Sequence, residues 1–396
     1  MTLSALHLFA SIGGSHLTGE ILGWPSVGVS VEWEEWRRRV LEAQYGESTE
    51  QDVNEFRPLR HFRPGQVQLV VGGSPCQDNS SMGAVVSERE GIEGSRSNLF
   101  FRQVEIAVEL KAPLIFWENV ANTLGVKNGS TWKQVQKTFD MNGYHFTWIK
   151  IGAMHVGAAH ARPRIFVLAW RKGLDVETLV APWLDPAPPD DGDGENLLAW
   201  AVINTYFRQS RTERARWRTS KAVKTGTREA FPSARGTKPH SWEPRPMLEA
   251  SSAMIKEQTA AVGDAWMPQQ AATAWHLLCF QAVNWGPVRP DGSTKPKPRL
   301  EFAWHDCVYE LTPGLKPPVF VRRDDAPLWG TPLAALGSGC GHKKTPACAS
   351  RYDYFSLDAH LLIDGDKFWR FGMERYINPD WAALLMGFPD GLLDVE

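Results

Sequence analysis

Short apolar runs alternate with amphipathic segments over the first 170 residues of the chain. Brief apolar runs bounded by polar positions are typical of strands, and an apolar stripe at helical spacing is typical of a helix. The predicted strands are residues 6–10, 27–31, 67–71, 114–117, 146–151 and 164–170, and the predicted helices are residues 17–22, 34–45, 98–110 and 131–141. This alternation predicts a doubly wound α/β fold, in which helices cover a mostly parallel sheet.

The pattern changes after residue 170. Residues 182–195 are rich in Pro, Gly and Asp, which favours a linker. Residues 208–245 are rich in Lys and Arg, and residues 287–298 form a turn-rich loop. Near the end of the chain, residues 378–391 place Trp381, Leu384, Leu385 and Phe388 on one helical face. The second half therefore has a different character from the first.

Composition narrows the class of protein. The chain has 396 residues, of which 43% are hydrophobic and 22% are charged, as in folded soluble proteins. No stretch approaches the roughly 20 apolar residues that a membrane span needs, and the start lacks a signal-peptide pattern, so we expect a cytoplasmic protein. The 5 Cys are too few and too irregular for a disulfide scaffold. The net charge of −2 does not exclude a nucleic-acid partner, because it is an average over the whole chain and residues 208–245 form a localised basic segment.

The strand ends carry the candidate chemistry, because ligands of an open parallel sheet bind at the carboxyl ends of its strands. The first strand runs into a small-residue turn at residues 9–14, and the second ends at Glu32, where such folds place an acid on ribose hydroxyls. Beyond the third strand, Cys76 is a candidate nucleophile. The fourth strand ends at Glu118, where partial burial would favour a proton-donating carboxyl. Alone, each has an ordinary alternative, such as a solvated acid or a buried thiol, but together they indicate a catalytic cleft.

These motifs, with Pro75-Cys76-Gln77, Glu118-Asn119-Val120 and Arg162-Pro163-Arg164, occur in the order and spacing of the cytosine-5 DNA methyltransferase family of bacteria and phages. The chain resembles this family over residues 5–170 and, loosely, over its last 20 residues. The resemblance implies a Rossmann-like methyltransferase sheet with S-adenosylmethionine as its cofactor. It also implies methyl transfer to carbon 5 of a cytosine that is flipped out of duplex DNA.

The resemblance also implies roles for individual residues. Cys76 would add to carbon 6 of cytosine, Glu118 would protonate or hydrogen-bond ring nitrogen 3, and Arg162 and Arg164 would orient the base. The residues that would bind S-adenosylmethionine are Phe9, Ser11, Ile12, Gly13, Gly14, Glu32, Trp33, Asp52, Val53, Ser74, Pro75 and Leu99. Since the two arginines begin their strand, they reach the cleft only if strand 164–170 is antiparallel. We therefore predict an antiparallel strand at the edge of the sheet, against the alternative of salt-bridged surface arginines.

Family resemblance further implies three parts of the chain: a catalytic domain over 1–175, a smaller target-recognition domain over 176–330, and a segment over 331–396 that packs back on the catalytic domain. The loop at 79–94 would close on the DNA. The candidate DNA-binding residues are Gln77, Ser80, Arg208, Arg211, Arg214, Arg216, Arg218, Lys221 and Lys224. We expect a monomer whose partner is duplex DNA and not a membrane.

Several positions depart from the family pattern. His7 replaces the usual Asp, Ser11 the usual Gly and His160 the usual Gln, and the final Gly-Asn motif is missing. Two alternatives therefore stay open: an RNA cytosine-5 methyltransferase, and a DNA-binding accessory protein with a weakened cofactor site. A metal site is not predicted, because the spacing of His305, Cys307, Cys340, His342 and Cys348 matches no standard zinc site.

Overall fold

A computed structural model describes residues 3–75, 99–189, 194–212, 231–233, 239–245, 247–248, 252–288, 308–311, 320–323 and 376–395. Its main sheet has seven strands in the order β3-β2-β1-β4-β5-β7-β6. These strands are β1 (Ala5–Leu8), β2 (Ser26–Val31), β3 (Ser48–Glu50), β4 (Leu69–Gly72), β5 (Leu114–Val120), β6 (Tyr144–Ile151) and β7 (Arg164–Arg171). The helices are α1 (Gly14–Leu22), α2 (Glu35–Tyr45), α3 (Leu99–Glu109), α4 (Ser130–Met141), α5 (Val176–Val180), α6 (Gly194–Gln209), α7 (Ala253–Asp264), α8 (Pro268–Asn284) and α9 (Pro379–Leu385).

Strands β3, β2, β1, β4 and β5 pair in parallel, whereas β7 is antiparallel to both β5 and β6. The predicted doubly wound sheet and its antiparallel strand are therefore confirmed. The predicted position at the edge is wrong, because β7 lies between β5 and β6. The residues explain this order: positions 165–170 of β7 are all buried, whereas β6 carries the partly exposed His145 and Lys150, which suit an edge strand.

The ends of β5 and β3 differ from the sequence prediction. Strand β5 extends beyond Trp117 to Val120, because β7 pairs with it along its whole length, including Glu118 opposite Phe166 and Val120 opposite Arg164. Glu118 therefore lies within a strand and not after one. The short strand β3 was not predicted, since its sequence Ser-Thr-Glu has no apolar signal and pairs with β2 at the edge of the sheet.

The two faces of the sheet hold separate apolar layers, because successive residues of a strand point to opposite sides. On one face, Trp117 packs against Phe100 of α3 with ring centroids 4.8 Å apart. On the other face, the ring of Phe116 meets Trp275 of α8 edge-on at 5.3 Å. Trp275 also meets Trp24 at 4.4 Å. Helix α8, which belongs to the stretch assigned to target recognition, thus contributes to the layer that covers the sheet.

Contacts divide the chain into two units. One comprises residues 1–151, 163–205 and 271–302, and the other comprises residues 152–162, 206–270 and 303–396. In the second unit α9 packs on α7, and Trp381 donates a hydrogen bond from its indole nitrogen to Glu243 at 2.8 Å. A two-residue ladder in the same unit pairs Tyr376–Ile377 with Met247–Leu248. The three-part division inferred from the sequence stays a prediction.

A search of the described helices for a segment that is long and apolar enough to cross a bilayer finds none.

Candidate active site

The turn at residues 9–14, named the cofactor turn here after the role predicted for it, joins the carboxyl end of β1 to α1 and has a strained backbone. Phe9 and Ser11 both have positive φ, at 54° and 49°. Left-handed backbone at residues other than Gly is uncommon and clusters at functional sites. Gly13, with φ of 89°, is the residue before α1, and its N–H donates to the carbonyl of Ala10 at 2.9 Å. The other two predicted members are Ile12, which is fully buried, and Gly14, which begins α1.

Glu32 holds the cofactor turn at the carboxyl end of β2. Its Oε2 accepts a hydrogen bond from the N–H of Ser11 at 2.7 Å, and its Oε1 accepts one from the N–H of Glu34 at 3.1 Å. Its neighbour Trp33 is 59% exposed, which is unusual for so large an apolar side chain. The structure thus brings together the predicted acid, the predicted turn and an exposed indole.

Further cofactor candidates lie on the loop after β3 and at the start of α3. The Asp52 carboxylate accepts hydrogen bonds from the backbone and side chain of Asn54, at 2.8 and 3.1 Å. Val53 is buried, and its carbonyl accepts a hydrogen bond from Arg102 at 3.2 Å. Leu99 is the first residue of α3 and packs against the core cluster that contains Val53.

Ser74 is anchored by two residues of β5 whose roles were not assigned from the sequence. The Trp117 indole donates to Ser74 Oγ at 3.1 Å, and the Asn119 side-chain amide donates to the Ser74 carbonyl at 3.3 Å. Asn119 is itself fixed, because its Oδ1 accepts from the Thr123 hydroxyl at 2.9 Å. Ser74 and Pro75 are the last described residues before Cys76, which lies outside the described residues together with Gln77 and Ser80. The sequence feature that could have identified Asn119 as a site residue is its place in the Glu-Asn-Val motif.

Glu118 and Arg164 form an ion pair between β5 and β7. Arg164 Nε lies 2.8 Å from Glu118 Oε1, and each side chain is 11% exposed. Largely buried charges need such pairing, and the antiparallel register explains how the first residue of β7 reaches the end of β5. The two side chains therefore meet at the carboxyl edge of the sheet, and the roles predicted for them there stay predictions.

Arg162 is in the second unit and has a different environment. It is 1% exposed and has φ of 35°, and its guanidinium donates to the carbonyls of Gly263 and Ala265 at 3.1 and 2.6 Å. Its own carbonyl accepts from the Gln270 side chain at 2.9 Å. These bonds fasten the end of α7 to the start of α8. The predicted contact of Arg162 with a base stays a prediction.

A buried polar cluster lies next to the cofactor turn and includes His7, one of the positions that depart from the family pattern. His16 Nε2 is 2.8 Å from Glu47 Oε2, and His7 stacks on His16 with ring centroids 3.8 Å apart. Burial by itself raises the pKa of Glu47, but its hydrogen bond with His16 and its attraction to His16 and His7 outweigh this and lower the pKa to about 2. Burial, and then the neighbouring His16, lower the pKa of His7.

The predicted DNA-binding residues are mostly outside the described part of the chain. Of the basic candidates, Arg208 and Arg211 lie at and just beyond the end of α6, and the Arg211 guanidinium sits 5.4 Å from the centre of the exposed Phe207 ring. Those that the structure does not describe are Arg214, Arg216, Arg218, Lys221 and Lys224. The His and Cys residues considered for zinc also lie outside the described ranges, within which no metal-binding group of His, Cys, Asp or Glu occurs.

The fold and this site define a class of protein: a doubly wound α/β protein with a cofactor turn after its first strand and charged groups at the ends of β5 and β7. A profile of the C-5 cytosine-specific DNA methylase family matches residues 3–391. The chain therefore belongs to this family.

Individual relatives match a smaller part of the chain. The type II methyltransferase M.HhaI of Haemophilus parahaemolyticus is 32% identical over 180 residues, which is 46% of this chain and 53% of the relative. M.BsuFI of Bacillus subtilis is 28% identical over 184 residues, 46% of this chain and 43% of the relative. The chain thus spans about half the length of the curated relatives that it matches. A solved structure of a Spodoptera frugiperda DNMT2 mutant has 18% identity and a TM-score of 0.35, covering 44% of this chain and 51% of that one.

Proposed function

We propose that the protein transfers a methyl group from S-adenosylmethionine to carbon 5 of a cytosine in duplex DNA. The single observation that supports this most is the convergence of the Glu118–Arg164 ion pair with the anchored Ser74 loop that leads into Cys76. Type II methyltransferases are among its relatives, which fits a role in DNA modification. We further propose that it acts as a monomer in the cytoplasm of a bacterium or a phage-infected cell.

The cofactor site suits S-adenosylmethionine, on which this family depends. Glu32 would bind the ribose hydroxyls, the exposed Trp33 indole offers a face for adenine, and Asp52 would accept from the adenine amino group. The strained cofactor turn would approach the amino-acid portion of the ligand closely. When bound, the cofactor supplies an electrophilic methyl group.

In the proposed mechanism the thiolate of Cys76 forms a bond to carbon 6 of the flipped cytosine. The electron pair of the 5,6 double bond is thereby released toward carbon 5, which becomes nucleophilic. Glu118 in its protonated form donates to ring nitrogen 3 and transfers its proton there as negative charge develops, and the Arg164 guanidinium, 2.8 Å from Oε1, stabilises the carboxylate that remains. After carbon 5 is methylated, solvent water removes its proton, the electron pair of that C–H bond restores the 5,6 double bond and the thiolate leaves carbon 6. Ring nitrogen 3 returns its proton to Glu118.

A mechanism-based trap tests the proposal. Duplex DNA with 5-fluorocytosine at the target has no proton to lose from carbon 5, so the covalent adduct should persist and be visible as a protein band of raised mass. Cys76→Ala should abolish the adduct, whereas Cys279→Ala, a substitution of a buried cysteine in α8, should retain it.

Three results would contradict the proposal: an adduct that survives Cys76→Ala, methyl transfer to tRNA but not to duplex DNA, and transfer to neither substrate. The second result would favour an RNA methyltransferase, and the third an accessory DNA-binding protein.

A further inference from the structure

The buried polar cluster beside the cofactor turn plays no part in the mechanism above. Its members, each no more than 6% exposed, are His7, Ser15, His16, Ser30 and Glu47. They come from β1, α1, β2 and the residue just before β3, so the cluster ties together every element that flanks the turn. Hydrogen bonds between polar groups are strong in a low-dielectric core and favour one arrangement of the side chains, although His16 Nδ1 and Glu47 Oε1 have no hydrogen-bond partner among the described residues.

His16 is the centre of this cluster. Its Nε2 lies 2.8 Å from Glu47 Oε2, and the Ser30 hydroxyl donates to the same carboxylate oxygen. The His16 ring stacks on His7 at 3.8 Å and meets the ring of Tyr45 at 4.6 Å. The Glu47 carboxylate thus orients His16, and the imidazole of His16 contacts the ring of Tyr45.

Tyr45, the last residue of α2, contacts the cofactor turn directly. Its hydroxyl donates to the carbonyl of Gly13 at 3.2 Å, and the same carbonyl accepts the first helical hydrogen bond of α1, from Leu17 at 2.9 Å. A Cβ atom on Gly13 would overlap the Tyr45 ring. Ring and hydroxyl of Tyr45 therefore both contact Gly13, in addition to the hydrogen bond between Gly13 and Ala10.

We propose that Tyr45, oriented by His16 and Glu47, is a positioning residue for S-adenosylmethionine. It fixes the backbone of the cofactor turn before the ligand arrives, so that less conformational freedom is lost on binding. His7 stands where the family usually has Asp, and Glu47 supplies a carboxylate to the same group of side chains through Nε2 of His16. This inference rests on the proposed function, because it takes the turn to be the binding site for S-adenosylmethionine.

Tyr45→Phe is the decisive variant, because it removes only the hydroxyl. Tyr144→Phe is the matched control: the Tyr144 hydroxyl is buried and donates to the Ala112 carbonyl at 2.7 Å, away from the turn. For Tyr45→Phe we expect the Kd of S-adenosylmethionine, measured by calorimetry on the full chain, to rise about three- to tenfold, the value of one net hydrogen bond. KM for S-adenosylmethionine should rise in parallel, while kcat at saturation stays unchanged. Tyr144→Phe should leave the Kd unaltered.

Glu47→Gln supplies a second test, because it keeps the shape of the side chain and removes its charge. It should also raise the Kd of S-adenosylmethionine, since His16 loses its charged partner. An unchanged Kd in Tyr45→Phe would overturn the inference, and so would an equal rise in Tyr45→Phe and Tyr144→Phe. Failure of the wild-type protein itself to bind S-adenosylmethionine would instead refute the proposed function, before any variant is compared.

Discussion

Single residues of the cofactor turn show how backbone strain is distributed around the candidate site. Phe9 and Ser11 adopt the left-handed region at a price of about 1–2 kcal/mol each. Hydrogen bonds hold the turn in that conformation, among them those that Ser11 donates to Glu32 and Gly13 donates to Ala10. The left-handed backbone of Ser11 is therefore held in part by the carboxylate of Glu32, which the sequence analysis assigned only to the cofactor.

Gly13→Ala and Gly23→Ala form a matched pair at the two ends of α1. Both glycines have positive φ, at 89° and 77°, but a Cβ on Gly23 would meet nothing within 4 Å, whereas a Cβ on Gly13 would overlap Tyr45. We expect Gly23→Ala to destabilise the protein by about 1 kcal/mol and Gly13→Ala by about 2–5 kcal/mol, because overpacking adds to the conformational penalty. Thermal unfolding checks the order of the two Tm values.

Only Gly13→Ala should also weaken binding of S-adenosylmethionine, which calorimetry would measure. Equal losses of Tm in the two variants would mean that Tyr45 moves aside at little expense, which would contradict the close approach described above.

At the scale of elements, the important pair is β5 and β7. Their antiparallel pairing places Glu118 near the end of one strand beside Arg164 at the start of the other. A parallel β7 would put Arg164 at the opposite edge of the sheet, away from Ser74. The orientation of this strand therefore decides whether the two charged groups meet.

Arg164→Lys tests the ion pair, with Arg171→Lys as its control at the other end of the same strand. Lys keeps the charge but cannot reproduce the planar guanidinium contact with Glu118. We expect kcat to fall at least tenfold, equivalent to about 1.4 kcal/mol of transition-state stabilisation, with the Kd of S-adenosylmethionine unchanged. Arg171 is exposed and bonds the Lys111 carbonyl at 3.3 Å, so its replacement should leave kcat near the wild-type value. Equal kcat values in the two variants would contradict the assigned role of Arg164.

The sequence predicted the strongly apolar elements of this sheet well. Strand 164–170 and helix 131–141 match β7 and α4 to within one residue, because their apolar pattern is continuous. The position of β7 inside the sheet could not be predicted, since strand order depends on long-range pairing that leaves no local pattern. The same limit applies to the site: Glu118 and Arg164 were predicted, but the anchoring of Ser74 by Trp117 and Asn119 depends on side-chain directions in the folded sheet.

For the whole molecule, the average charge says little about DNA binding. The chain carries 43 Lys and Arg against 45 Asp and Glu, yet residues 208–245 are strongly basic. A localised basic surface binds phosphates by releasing counterions, so affinity should fall steeply as salt rises.

The double substitution Arg216→Ala/Arg218→Ala tests this idea against Lys133→Ala/Lys137→Ala, which removes the same charge from the exposed side of α4. If both arginines contact phosphates, the slope of log K against log salt should become less negative by about 1.8. Fluorescence anisotropy with a labelled duplex measures this slope. An identical slope in both double variants would place the phosphate contacts elsewhere.

The internal position of β7 also sets an order of events during translation. Strand β6 emerges from the ribosome before β7, yet in the described ladders its hydrogen-bond partner is β7. Strands β1 to β5 can pair as soon as they are synthesised, but β6 must wait for residues 164–171 before it can join them. Until then Phe146, Trp148 and Ile149 are presented on a strand with a vacant edge, which is a site of aggregation. A slow codon between residues 151 and 164 would prolong that exposure, so the nascent chain is most prone to aggregate just before Arg164, the ion-pair partner of Glu118, is synthesised.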